Sequence, residues 1–228
     1  MSPDTALTEL RLTTRAEHER IESILRLDEP MPLERYAAIM AGFDAFLRAW
    51  EPRVQAALPE RLRHWYRARR RGGLASADVD WLREVAGHAP VEMKTAAAVK
   101  LPLRDLAEVL GSLYVIEGSA LGGQVIASRL KATLGLGLGH GASYFHGFGG
   151  ESGTLWRDFR VLASLEIGES SKATVRACKS AKRTFGALIE MFAPLAPLPD
   201  LGAETETTVV LPPDKQPAAV AALRDPAA

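Results

Sequence analysis

The sequence predicts an all-α protein, a single-domain helical bundle. Three observations predict it. Apolar residues recur at spacings of three and four in segment after segment. No stretch sustains the period-two alternation of β-branched residues that a half-buried strand requires. The chain has 228 residues, 47% of them hydrophobic, enough to bury one full core without a disulfide or metal staple.

The elements follow in order. Residues 4–27 place Leu7, Leu10, Ile21, Ile24 and Leu25 at helical spacing, and Ser2-Pro3 suits a cap and first turn. Over 32–58 a second helix carries Tyr36, Ile39, Met40, Phe43, Phe46, Leu47 and Trp50 on one apolar face. Pro52 lies late in that run, where a proline kinks or ends a helix. A shorter helix is expected over 60–70. Gly72-Gly73 reads as a break, with Ser76 capping a helix over 78–86. Gly87-His88-Ala89-Pro90 reads as a connector, and an alanine-rich segment follows, ending before Pro102. The longest helical pattern covers 104–134 and holds four glycines. Residues 135–150 read as glycine-rich loop, and helices follow over 152–166 and 170–193. About seven helices make one domain over 1–194. The Pro- and Ala-rich stretch 195–228 reads as an unstructured tail.

Composition excludes several classes of function. Lys+Arg and Asp+Glu balance at 28 each, so no overall field holds the chain on a phosphate backbone. Arg67, Arg69, Arg70 and Arg71 follow Trp65-Tyr66, a pairing that suits base stacking. Neutrality favours the plainer reading, a solvated helix end opposing the dipole, and no nucleic-acid partner is expected. Cys178 is the single cysteine, which rules out an internal disulfide or a cysteine-rich zinc site. The first ten residues lack a secretory signal pattern, and no run of about 18 apolar residues predicts a membrane span. The expected setting is the cytoplasm.

Two stretches carry chemical interest. GLGLGHG over 135–141 fits no phosphate-loop register and follows no strand, so it reads as a connector. Of five histidines none forms an H-E-x-x-H pair, which leaves a single axial ligand to heme as the metal chemistry open to them. The sharper anomaly is LYVIEGSALGGQVI, residues 113–126, where Gly118, Gly122 and Gly123 interrupt a strongly helical segment. Each glycine costs a helix about 1 kcal/mol relative to alanine. Such a cluster suits close helix packing or a kink, and equally suits a backbone that approaches something flat and wide.

At these residues the chain resembles the heme oxygenase family. YVIEGSALGGQVI is similar to that family's distal-helix signature, in which glycines let the helix lie against the heme face. Leu10 to Glu22 is similar to its proximal helix, and residues 181–192 to its closing helix. EGSxLGG, followed by Gly141-Ala-Ser-Tyr-Phe-His-Gly147 and Trp156, is most similar to bacterial enzymes associated with bacteriophytochromes. The resemblance implies that His18 is the axial ligand of heme iron and that Glu22, one turn on, bonds the ring's second nitrogen. It implies propionate contacts from Arg11 and Arg15, pocket-wall roles for Phe185 and Phe192, and a distal surface of Gly118, Ser119, Gly122 and Gly123. Ser119 stands where better-known members carry an aspartate, and Leu155 and Phe159, with Arg157 and Arg160 beside them, stand where further basic propionate contacts are expected. The implied activity consumes heme b as both substrate and cofactor, together with O2. Electrons come from a separate donor such as ferredoxin or a flavoprotein reductase. Biliverdin, CO and ferrous iron leave, with a phytochrome photoreceptor as the bilin acceptor. The alternatives are a non-catalytic heme-binding or sequestering protein on the same fold, and a heme-free helical protein.

Overall fold

The computed structural model describes residues 5–86, 98 and 100–196. The chain divides into a unit Met1–Pro197 and a second, Leu198–Ala228, which lies outside the described residues. The expected connector at 87–90 and nearly all of the alanine-rich segment and the tail fall outside them too.

The described residues form helices α1 (Thr5–Leu25), α2 (Leu33–Ala57), α3 (Glu60–Arg67), α4 (Gly72–Ala86), α5 (Leu106–Leu134), α6 (Ser143–His146), α7 (Ser152–Ile167) and α8 (Ser171–Phe192). Short 3-10 turns cover Gly149–Glu151 and Ala193–Leu195. No strand occurs among the described residues, only isolated bridges from Gly137 to His140 and Gly141. The fold is all-α.

α8 is the shared wall. Both α1 and α5 pack along it, yet they barely touch each other, while α7 packs on α5 and α4 on α2. The close approach of α5 and α8 rests on small residues: a Cβ at Gly111 would lie 2.0 Å from the Ala177 carbonyl oxygen. A buried polar seam fixes the register. Trp50 Nε1 donates to Ser112 Oγ (2.8 Å), Ser112 and Thr184 share a hydrogen bond (2.7 Å), and Thr184 returns one to the Ser180 carbonyl (2.9 Å). α5 opens on its N-cap Asp105, which accepts from the Glu108 amide (2.9 Å), while Glu108 accepts from the amide of Arg104, one residue before the cap (2.8 Å). It closes on Gly135 at φ +70°, whose amide reaches back to Leu130 and Lys131. By length and composition alone α5 is long and apolar enough to cross a membrane. In this fold its N-terminal half is buried against α8 and its neighbours.

Several expectations need correction. Pro52 does not end α2, which continues to Ala57; the fully buried Trp50 and Val54 on either side of it hold the segment in the core. Gly72-Gly73 opens α4 instead of breaking the chain, and Ser76 is not its cap. The cap comes from another helix. Glu51 Oε1 accepts from the Arg71 amide (2.9 Å) and the Gly72 amide (2.8 Å), while Oε2 pairs with Arg70 Nε (2.8 Å). Ser76 instead donates to Asp44 Oδ1 (2.6 Å). The loop expected over 135–150 holds α6 and a 3-10 turn, because buried Asp78 accepts from the amides of Ser143 and Tyr144 (2.8 and 2.7 Å). Leu195, placed in the tail, ends a 3-10 turn whose carbonyl accepts from Arg35 (2.7 Å).

Glu51 is 3% exposed, so Glu51→Ala strands two backbone donors and the Arg70 cation. The expected loss is about 2–4 kcal/mol, read as a fall in the denaturant midpoint. A loss below half a kcal/mol would show that α4 caps itself.

Candidate heme site

α1 carries His18, and its position against α8 is set by neighbours. Glu17 pairs with Lys182 (2.9 Å), and one turn along α8 Phe185 meets the His18 ring edge-on, centroids 5.8 Å apart. The Glu22 carboxylate, four residues on, lies 3.3 Å from His18 Nδ1, on the side of the ring away from Nε2. The imidazole side chain is 56% exposed. Among the described residues no three His, Cys, Asp or Glu side chains cluster as a metal site. An iron here would therefore depend on a macrocycle's own nitrogens together with one imidazole.

α5 carries the glycine cluster. Beyond its buried N-terminal half, Leu121 and Val125 are large apolar side chains left exposed, and Gly122 lies three residues before Val125, on the neighbouring strip of the helix. A Cβ at Gly122 would meet nothing within 4 Å. At Gly118 it would make ordinary contact with the Trp156 ring, at 3.6 Å, and Trp156 in turn stacks on Phe159. Gly123 differs: its Cβ would lie 2.4 Å from the Phe145 carbonyl oxygen. The shared distal role expected for the three glycines is corrected on this point. Gly123 lets α5 seat the α6 segment, which Gln124 also grips through the His146 carbonyl (2.6 Å).

The remaining expected residues divide as well. Arg11 on α1 and Arg160 on α7 both act on the Tyr114 phenol of α5; burial raises its pKa, and the two cations oppose that rise. Arg15 is exposed and pairs with Glu19 (2.7 Å). Phe192 is fully buried against Phe43, ring centroids 5.0 Å apart, and is core, not wall. Phe159 is core as well, and Leu155 serves through its carbonyl, which accepts from Arg69 (2.9 Å).

The arginine run is where sequence reasoning went furthest astray. Arg69 and Arg71 are each 5% exposed, so neither belongs to a solvated helix end. Arg69 stacks on Trp65, 4.2 Å from its centroid, and pairs with Glu117 of α5 (2.9 Å). Burial pushes the Glu117 carboxyl up, while Arg69 and Arg71 pull it back. Arg71 donates to the Ile116 carbonyl and to Ser119 Oγ (3.0 Å). One signal could have found these contacts: Glu117 lies inside an apolar helix, and a buried acid demands a cation from elsewhere.

A helical domain that carries a histidine beside a carboxylate on one helix and an uncovered glycine on another, both packed along α8, suits a heme-binding protein. The family profile described as Heme oxygenase matches residues 4–194, and the chain belongs to that family. It is 30% identical over 184 residues to Heme oxygenase PigA of Pseudomonas aeruginosa, covering 79% of this chain and 89% of the relative. To a heme oxygenase of Xanthomonas campestris pv. campestris it is 32% identical over 153 residues, 67% of this chain and 81% of the relative. The fold also matches two solved structures. The NO- and CO-bound heme oxygenase of Neisseria meningitidis gives TM-score 0.62 at 22% identity, over 83% of this chain and 92% of that one. Heme oxygenase 2 of Chlamydomonas reinhardtii, solved without heme, gives TM-score 0.69 at 18% identity, over 85% and 98%.

Proposed function

We propose that this protein is a biliverdin-producing heme oxygenase acting in the cytoplasm, which cleaves heme with O2 and electrons from an external ferredoxin or flavoprotein reductase. Biliverdin, CO and ferrous iron are the products, and a phytochrome-type photoreceptor is the proposed consumer of the bilin. The observation that carries this reading is the pairing of His18, whose Nδ1 lies beside the Glu22 carboxylate, with the open face at Gly122, on two helices that share α8 but hardly touch.

Bound heme supplies the iron at which dioxygen is activated and the meso carbon that is oxidised. The chain's own residues bind and orient it. His18 Nε2 ligates the iron, and Glu22 raises the basicity of the ring. Phe185 packs against the imidazole edge and fixes its plane. Gly118 and Gly122 let the α5 backbone approach the macrocycle, and Leu121 and Val125 cover its apolar rim. Arg11, with Arg15 further along α1 and Arg160 opposite, holds the propionates by charge-assisted hydrogen bonds. Ser119 takes the position of the proton-network group.

The test is heme titration to a one-to-one complex with a histidine-ligated spectrum, followed by addition of reductant and O2. Conversion of the spectrum to a bilin with release of CO is the expected result; a stable complex that releases no CO sinks the assignment. A second reading, heme sequestration without turnover, has one observation in its favour. The Ser119 hydroxyl donates its hydrogen to the Ile116 carbonyl (2.8 Å), so it is not itself a proton donor. CO release separates the two readings.

A further inference from the structure

Resting on the heme-oxygenase reading, we propose that Arg71 is a positioning residue for the distal side. Through Ser119 it supplies a fixed positive charge that favours an anionic ligand on the heme iron.

Arg71 is a buried cation with no carboxylate among the described residues bonded to its guanidinium; Glu117, on which it acts through space, is bonded by Arg69. Its neighbours' charges are matched: Arg70 with Glu51 and Arg69 with Glu117. Among the described residues no carboxylate comes within ion-pair distance of the Arg71 guanidinium. Glu51 takes its backbone amide, and the Asp78 carboxylate is occupied by the amides of Ser143 and Tyr144. The guanidinium itself is held by neutral partners, namely the Ile116 carbonyl, Ser119 Oγ and the face of the Tyr144 ring, 4.9 Å from its centroid. Buried charges are normally paired, because an uncompensated one is costly. This one is retained one hydrogen bond from Ser119, next to Gly118 and three residues before Gly122, where α5 is uncovered.

The hydrogen-bond directions fix what Ser119 does. Its oxygen accepts from Arg71 and its hydrogen goes to Ile116. A hydroxyl has two acceptor lone pairs, so the one left over could accept from a water, whose other hydrogen would then be available to an iron ligand. The water is polarised by the cation behind Ser119. In this chain the charge on the distal side is therefore a cation reached through a hydroxyl, and its effect is to stabilise negative charge on the ligand.

The experiment follows the water-to-hydroxide transition of the ferric heme complex by absorption, together with azide affinity at one fixed pH. In Arg71→Met the transition should rise by about one pH unit, the scale on which a nearby opposite charge moves an ionisation. Azide affinity should fall about tenfold. Arg71→Lys keeps the charge and should show less than half of each change. Ser119→Ala leaves the cation in place but removes its outlet, so it should shift both readouts in the same direction. The double variant should go no further than Arg71→Met alone, as for two groups acting in series. A purely structural Arg71 would lower thermal stability or heme uptake yet leave the transition of the complex that forms where it was, and that result overturns the proposal. Should Arg71→Met fail to fold, Ser119→Ala and Arg71→Lys carry the test, and an unmoved transition in Ser119→Ala overturns it equally. A wild-type protein that never shows a histidine-ligated heme spectrum overturns the function reading and this inference together. A normal wild-type spectrum with unmoved variants overturns only the role of Arg71.

Discussion

His18→Ala is expected to remove the proposed heme ligation and to lower bilin formation to background, while the apo-protein stays folded. The side chain is largely exposed and its protein partners are Glu22 and the edge of Phe185. Losing it therefore costs the fold little, on the order of half a kcal/mol as for other surface changes. Ligation is another matter, since no cluster of alternative metal ligands exists among the described residues. Heme should still enter, because exposed Leu121 and Val125 and the open face at Gly122 would give it apolar cover. Resonance Raman of the ferrous complex checks the result: an iron–histidine band unchanged in His18→Ala would place the ligand elsewhere. Glu22→Gln should give a milder outcome, with the band present but shifted down in frequency, as a neutral partner leaves the imidazole less basic.

Gly122→Val and Gly123→Ala part company, although the two glycines are adjacent. At Gly122 an added side chain meets open space, so the apo-protein holds its stability, and Gly122→Ala gains up to about 1 kcal/mol from helix propensity. Heme binding and turnover should fall in Gly122→Val, because the side chain would occupy the space proposed for the macrocycle. At Gly123 the new methyl strikes the Phe145 carbonyl at 2.4 Å. The backbone of α6 must then move, at a cost of about 1–3 kcal/mol. Gly123→Ala is thus expected to lower the apo melting temperature before heme is added. Measuring apo melting and bilin yield on the same samples separates the two effects. Unimpaired turnover in Gly122→Val would remove α5 from the distal side, and an unchanged apo melting temperature in Gly123→Ala would contradict the packing role.

What the sequence by itself determined is local and periodic. The spacing of apolar residues sets the helices, and most of their limits stand within a few residues, because a 3.6-residue period is written into each segment independently of the rest. His18 and Glu22 are four apart, so a single helix is enough to bring them together. The cost of three glycines in one helix likewise marks α5 as special with no tertiary knowledge.

Only the tertiary structure decided which glycine faces a carbonyl and which faces open space, since that depends on where α6 and α7 come to rest. The same holds for the start of α4. Its cap is Glu51, 20 residues away on another helix, and no local pattern announces a cap supplied from that distance. The arginine run misled for a related reason. A run of cations looks solvated unless its partners are known, and those of Arg69 and Arg71 lie 45 to 48 residues further on, in α5. Burial of a charge is a property of the pair and its surroundings, so it becomes legible only when the fold has brought both members to one place.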